Sequence, residues 1–555
     1  MRGNAEALDE VVVIAYGTAK KESLTGSISV VDNKKIEKRI TTSVTGALEG
    51  AAPGVQVNNT YGEPGQAPEI RIRGFGTLVS GASSPLYVVD GVPFDGNMAE
   101  LNSNDIESMS ILKDAASAAL YGNRAANGVV LITTKSGRNT NKPSITLQVN
   151  QGIYNRGIPE YERLDADRWM EASWMAKKNS MMSNTGMSEN EAAAYATSHL
   201  ISESIGRNIY NAADDKLFDN NGKLIATRLT GYDDLDWQDA IERNGHRQEY
   251  NLSAAASGQK YNVYSSVGYL NEKGYVKATG YERFSGRINT TYTPNKWFKG
   301  GVNLTGSWTK RNYNSNASGN AYANPFYIAR YMAPVYPVYL HNADGTYQLD
   351  AAGDKIYDTT SPYLSNRHIA YEMLFNKQES VRNVLGGQAF ATISLPYGVS
   401  LTVKGDLNNS TSNNKKYDNP EIGDGATNGG RLTSYAYQYR TTTLQEIVNW
   451  SYQFNNVHNV EVMAAHESYS WERKYTMNTG MAVDGNLTMG NFLNNSYFTG
   501  SDDEDKTESY LARLKYNYDD RYFLEGSFRR DGSSRFHKDN RWGNFYSVGA
   551  SWNMK

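Results

Sequence analysis

The sequence predicts a small α/β domain followed by a transmembrane antiparallel β-barrel. Three observations carry that expectation. Residues 1–140 set short apolar runs between Gly and Pro turns. From Ser144 onward, apolar and polar residues alternate over about ten positions at a time, the length and period of a membrane strand. The connections between those segments are tight and long by turns, which a soluble sandwich has no reason to do.

Composition narrows the class. Of 555 residues, 39% are hydrophobic, below the roughly 45–50% usual for globular chains, and charged residues reach only 21%. Gly (50) and Tyr (40, against 15 Phe) fill the difference. Tyr suits sites where one end of the ring is apolar and the other wet. The absence of cysteine removes disulfide and thiolate chemistry. A net charge of -3 gives no reason to expect nucleic acid as a partner. No run approaches the roughly 18 apolar residues of a spanning helix, a test that β-strands escape. Met1–Asn4 has no apolar signal core, so, if the protein is exported, a mature form or a fragment is expected.

Along the first region, strands are expected at Ile70–Arg73 and Leu86–Val89, with turns at Glu63-Pro64-Gly65 and Asp90-Gly91. A helix is expected from Asp105 through the Ala-rich Leu120, then a strand at Val129–Thr134. In the second region, Phe284, Gly286, Ile288, Thr290 and Tyr292 share one face and Arg283, Ser285, Arg287 and Asn289 the other. The same period-two pattern recurs at residues 261–269, 399–407, 510–518 and 546–552, giving about twelve strands in all. Tight turns fall at 257–259, 293–297, 395–398, 455–459 and 518–521. Long polar loops are expected at about 156–245, 311–379, 411–432, 473–506 and 532–542, with a medium one at 271–280. Leu164–Lys178 and Ser188–Ile205 have helical composition and read as an ordered excursion within the first long loop.

Particular motifs add a family resemblance. Leu8-Asp9-Glu10-Val11-Val12-Val13-Ile14-Ala15-Tyr16-Gly17-Thr18 resembles the energising segment (TonB box) of SusC/RagA-family TonB-dependent transporters. Ile70-Arg71-Ile72-Arg73-Gly74, Tyr87-Val88-Val89-Asp90-Gly91-Val92-Pro93 and the run from Ile106 through Ala118-Ala119-Leu120-Tyr121-Gly122-Asn123-Arg124 to Val130 resemble that family's plug. Arg529-Arg530-Asp531-Gly532-Ser533-Ser534-Arg535-Phe536 is similar to one of its barrel segments. The resemblance implies residues 1–21 as energising segment and linker, 22–140 as plug, and 141–555 as the N-terminal part of the barrel with long extracellular loops. It further implies a barrel of 22 strands in the bacterial outer membrane, of which about twelve are present and the rest lie outside this sequence.

The same resemblance implies TonB-dependent import of oligosaccharides or oligopeptides, with TonB energised by ExbB/ExbD, a SusD-like lipoprotein lid and outer-membrane lipid as partners. Asp9, Glu10, Val11, Val12, Val13 and Ile14 are then the TonB contact, added as a strand to the partner's sheet. Arg71, Arg73, Lys113, Asp114 and Arg124 are candidate plug–barrel contacts, facing wall residues such as Arg283, Arg287, Lys404 and Asp406. Tyr322, Phe326, Tyr327, Tyr331 and Tyr336 are candidates for substrate or lid contact. No cofactor, metal site or catalytic residue is expected. His466-Glu467 has no second His at the zincin spacing, no G-x-S-x-G elbow occurs, and 219–222 and 342–345 lack the ligands of a calcium loop. A siderophore or cobalamin receptor and a surface adhesin stand as alternatives.

Overall fold

The computed structural model describes residues 11–14, 16–20, 26–59, 62–77, 83–114, 119–138, 140, 142–314, 323–360, 367–481 and 494–554. Its N-terminal ribbon pairs β1 (Val11–Ile14) with β2 (Gly17–Lys20) in antiparallel register. This ribbon stands apart from the sheet of the plug.

The plug comprises β3 (Ile28–Asp32), α1 (Asn33–Lys38), β4 (Val55–Asn58), β5 (Glu69–Ile72), β6 (Leu86–Val89), β7 (Val92–Pro93), β8 (Ile106–Leu112) and β9 (Val129–Thr134). Five strands form one sheet in the order β3-β8-β9-β6-β7, and β4 pairs with β5. Asp32 caps α1 by accepting from the Lys35 amide, so the chain turns from strand to helix within one residue. Val31, Ile36, Leu48, Ile70, Met109, Ile111 and Ile132 form the core.

The helix expected from Asp105 fails over its first half, where Ile106–Leu112 is the strand β8. The spacing of Ile106 and Met109 mimics one helical face, but Met109, Ser110, Ile111 and Leu112 are buried in succession. A run buried on both sides is what a central strand between β3 and β9 needs. Residues 115–118 lie outside the described residues.

A twelve-stranded antiparallel sheet follows in strict sequence order. It comprises β10 (Ser144–Tyr154), β11 (Gly245–Ser257), β12 (Tyr261–Lys273), β13 (Gly280–Tyr292), β14 (Phe298–Asn312), β15 (Lys377–Ser394), β16 (Val399–Asp418), β17 (Arg431–Phe454), β18 (His458–Met481), β19 (Asn494–Tyr518), β20 (Tyr522–Ser533) and β21 (Trp542–Trp552). Alternation decides the two faces. Arg283, Ser285, Arg287 and Asn289 are buried towards the plug, while Phe284, Ile288, Val302, Leu304, Leu385 and Leu407 form an exposed apolar band on the other side. On β13 that band runs from Tyr292 to Phe284, eight residues or about 26 Å along the strand. Tilted by about 40°, it rises about 20 Å, most of the roughly 25 Å apolar height of an outer-membrane barrel.

Two expected loops are shortened by strand from both sides. β16 continues to Asp418 and β17 begins at Arg431; β18 continues to Met481 and β19 begins at Asn494. Polar residues occupy both parities of these stretches, so no apolar face marks them as strand. The acidic run Asp502–Asp505 belongs to one of these stretches. It lies on β19, where Asp503 pairs with Arg473 across the ladder.

At the long-loop rim, α2 (Ala166–Thr185), α3 (Glu189–Leu200), α4 (Trp237–Ile241), α5 (Pro325–Tyr331) and α6 (Ile369–Phe375) build a second core from Trp174, Leu200, Trp237, Ile328 and Tyr336. Ser188 and Glu191 close a capping box at the start of α3. The Asp219 and Asn342 segments are turns: the Asp219 carboxylate accepts from the Asn221 and Lys223 amides, and Gly345 N–H bonds the Asn342 carbonyl.

Candidate functional site at the plug–barrel interface

The lumenal wall meets the plug through polar groups. On β13 the Arg283 guanidinium donates to the carbonyls of Ala99 (2.8 Å) and Leu101 (2.9 Å). Asn102 donates to Asn251 on β11 (2.8 Å), and Tyr264 on β12 donates to Asp105 (2.9 Å). Further round, Lys404 on β16 donates to the Asp90 carbonyl (3.0 Å) and Gln445 on β17 to that of Gly91 (3.2 Å). Arg287 reaches Thr134 (3.2 Å) and Asp90 (3.5 Å). Water can replace each of these bonds when the surfaces part, whereas exposing an apolar seam would cost in proportion to its area. The geometry suits a plug held firmly yet separable.

One cluster ties the N-terminal ribbon into this interface. Glu467, on β18, is 2% exposed at its side chain and accepts from four donors: Tyr16 (2.9 Å), Arg124 (3.0 Å), Arg529 (3.2 Å) and Gln445 (2.8 Å). Arg529, on β20, also bonds Asp531 (2.5 Å), Ser509 (2.8 Å), Leu120 O (2.6 Å) and the Tyr16 oxygen (3.1 Å). Two guanidiniums face two carboxylates, so charge is balanced. Removing one partner strands a buried ion, at a cost of about 3–5 kcal/mol.

Tyr16 itself sits at φ 56°, a left-handed conformation that costs a non-glycine residue roughly 1–2 kcal/mol. Its ring stacks on Tyr121 at 5.8 Å. Burial, with Glu467 alongside, holds its phenol well above the ordinary value, so it remains a donor. Gly122, at φ 62°, brings the plug backbone against the wall, and a Cβ there would lie 1.9 Å from the Asp531 carboxylate.

The sequence-derived candidates are placed as follows. Arg124 bonds Glu467 and lies over the Tyr469 ring at 4.8 Å. Arg71 and Lys113 find polar partners inside the plug, Glu69 (2.7 Å) and the Pro53 carbonyl (3.0 Å). Asp114 accepts from the Ser27 amide, and the Arg73 amide bonds the Gly54 carbonyl. Val11–Ile14 form β1, while Asp9, Glu10 and Tyr322 lie outside the described residues.

Tyr327 and Tyr331 stack on each other at 5.6 Å at an exposed groove that Phe326 also lines. Tyr336 is a correction. It is 2% exposed, its hydroxyl donates to Ile205 O and its carbonyl accepts from Trp237, so it builds the loop core rather than a contact surface. Glu467, Asp531 and Arg529 carried no assigned role in the sequence reading. On β20 parity is a signal, since Arg529 and Asp531 alternate with the outward Leu524 and Phe528; around Glu467 the outward positions are His466, Ser468 and Ser470, and parity gives no contrast.

Comparison with known proteins fits this geometry. Residues 20–129 match the TonB-dependent Receptor Plug Domain. Over 100% of its length the chain is 29% identical to TonB-dependent receptor P39 of Formosa agariphila and 27% identical to TonB-dependent receptor SusC of Bacteroides thetaiotaomicron, covering 48% and 52% of those proteins. It is 30% identical to receptor P26 of Formosa agariphila, covering 50% of it. The chain thus spans about half the length of these relatives. Among solved structures, that of the RagAB peptide transporter superposes over 95% of this chain and 57% of its own, with a TM-score of 0.74 at 23% identity. The unliganded ferric citrate transporter FecA shares the fold more loosely, with a TM-score of 0.52 at 10% identity over 95% of this chain and 60% of its own. Plug, strand order and whole-chain similarity agree: the chain carries a TonB-dependent receptor plug and is similar along its whole length to TonB-dependent receptors, SusC among them.

Proposed function

We propose that this protein imports oligosaccharides or oligopeptides across the bacterial outer membrane, driven by TonB with ExbB/ExbD through its N-terminal segment. A SusD-like lipoprotein lid completes the reading. Residues 1–21 act as energising segment and linker, 22–140 as plug and 141–555 as barrel. The observation that carries the proposal is Tyr16. It stands two positions beyond β1 and bonds both Glu467 and Arg529, so a pull on β1 loads the plug–wall cluster directly. β1 pairs with β2 along one edge, and Asp9 through Ile14 would offer the other to TonB by strand addition. Tension then breaks the Tyr16 bonds, frees Glu467 and Arg124 from one another, and lets water take over the polar wall contacts as the plug yields. No group transfer occurs in this sequence, and the protein is not an enzyme in this reading.

Deleting residues 8–14 from the intact receptor tests it. Energised uptake, and growth on the cargo polymer, should be lost while surface binding persists. Unimpaired uptake would overturn the proposal.

A further inference from the structure

The segment Arg529-Arg530-Asp531 divides by parity. Arg529 and Asp531 enter the plug–wall cluster, whereas Arg530 faces outward and is exposed. On the outward face of β20 the apolar band opens at Tyr522, beside the tight turn, and continues through Leu524 and Phe528. Arg530 stands next, eight residues from Tyr522, about 26 Å along the strand. Tilted by about 40°, that is a rise of about 20 Å, which puts Arg530 at the long-loop border of the band. Its direct cross-strand partners are Tyr510 on β19 and Asn544 on β21, both exposed. The guanidinium lies over the Trp542 ring at 5.2 Å. Contact with a ring uses the face of a guanidinium and leaves the N–H donors in its plane to an anion.

Among the described residues no carboxylate pairs with Arg530, although one is near. Glu508 is its diagonal neighbour across β19 and β20, within reach of a long side chain. The Glu508 carboxylate instead accepts from Nε2 of His466 on β18, whose Nδ1 donates to Glu446 on β17 (2.8 Å). One imidazole thus holds both outward acids, and the charge of Arg530 is left open.

We propose that Arg530, with Asn544 and the Tyr510 hydroxyl, seats a phosphate of a phosphorylated glycolipid in the external leaflet. The inference rests on the outer-membrane reading and names one lipid contact within it. Three features select the ligand. A cation at the rim of an apolar band meets lipid at the depth of its charged headgroups. Towards the tight turn, Phe528, Ala512 and Val548 offer acyl chains an exposed apolar surface. Towards the long loops, the outward faces carry Ser468, Ser470, Thr442 and the Trp542 ring, hydroxyl and aromatic groups that suit sugar. A glycerophospholipid would supply the phosphate and leave those groups unmatched.

Intact receptor, purified in a non-ionic detergent, is titrated with diphosphoryl lipid A, with the same lipid A stripped of phosphate, and with phosphatidylglycerol. Native mass spectrometry counts the lipid bound. Diphosphoryl lipid A should bind best. Arg530→Ala and Arg530→Gln should each weaken it about tenfold, the loss of one hydrogen bond between charged groups. His466→Ala releases Glu508 to pair with Arg530 and should weaken binding several-fold with Arg530 still present. Lys310→Ala removes an outward cation of β14 that Glu379 already neutralises (2.7 Å), and should bind within about twofold of the parent. Heat-modifiable gel mobility reports that each variant remains folded.

The seat is refuted if diphosphoryl lipid A does not bind, if the dephosphorylated form binds equally, if phosphatidylglycerol binds in preference, or if folded Arg530 variants bind like the parent. Those outcomes leave the outer-membrane reading standing, because its own failure looks different: a receptor that stays folded and monomeric in buffer without detergent. Import is untouched by either result, since no energised step is measured.

Discussion

Replacing Tyr16 by Phe removes one hydroxyl from the plug–wall cluster and nothing else. The ring, and with it the stack on Tyr121, is retained. Glu467 keeps Arg124, Arg529 and Gln445 as donors, so no buried carboxylate is orphaned, and Arg529 keeps the Leu120 carbonyl. The loss is that of a hydrogen bond to a charged acceptor, about 1.5–3 kcal/mol. The remaining donors place it near the lower end, about 1.5 kcal/mol, or roughly a tenfold increase in the undocked population of the N-terminal ribbon. The paired amides of β1 and β2 supply the reporter, since a lone two-stranded ribbon is marginal once undocked. Where docking and undocking outpace exchange, the rate of hydrogen exchange tracks the open fraction. It should rise about tenfold in Tyr16→Phe. An unchanged rate would show that Tyr16 does not hold the ribbon, and the route from pull to plug would have to run elsewhere.

Other consequences are as direct. Gly122→Ala should loosen plug docking by about 2 kcal/mol or more, since its backbone (φ 62°, ψ -146°) lies in a region essentially reserved for glycine, costing another residue about 1–3 kcal/mol, and the new Cβ displaces Asp531 from Arg529; hydrogen exchange of β9 in the intact receptor reads it. In the loop core, His368 is fully buried, accepts from the Tyr371 amide and bonds the Val338 carbonyl, and burial lowers its pKa to about 4.

A depressed histidine contributes stability that is complete above about 6.5 and is lost as pH falls towards 4, about 3 kcal/mol over the drop. Glu372, raised by burial to about 7 against the pull of Arg367, has the opposite slope, its contribution being lost as pH rises from about 4.5 to 7. The parent profile should therefore be nearly flat, and Glu372→Gln should expose the acid loss. Fluorescence of Trp237, 4.7 Å from the imidazole, follows it; a Glu372→Gln profile as flat as the parent's would contradict the buried, neutral histidine. Purification of the tagged receptor from its native membrane should bring a SusD-like lipoprotein with it, and recovery of the receptor free of any such protein would count against the lid.

Much of this was legible in the residues. Period-two alternation from Ser144 fixes the lumenal and lipid faces without any tertiary information, because a one-residue slip would invert them. The tight turns fell where Gly, Pro and Asn break that period. What failed did so for physical reasons. Ile106–Leu112 carries helix-like spacing but occupies the centre of a sheet, where burial on both sides outweighs periodicity. At their long-loop ends, β16 to β19 have no apolar face to announce them and read as loops, although their ladders continue. Tyr336 looked like its neighbours Tyr327 and Tyr331 in composition, and only packing separates the one that builds the core from the two that face water. The Glu467 cluster joins residues up to 513 positions apart, a closeness that parity can hint at but not locate.

The central claim is that the plug must move relative to the wall for cargo to pass. Asn102 and Asn251, hydrogen-bonded across the interface at 2.8 Å, allow it to be tested in a cysteine-free background. In an Asn102→Cys/Asn251→Cys receptor bridged by a short thiol cross-linker, energised uptake should fall to background and return on cleavage of the bridge, with cargo binding unaffected throughout. Uptake at the parent rate with the bridge shown to be intact would contradict it.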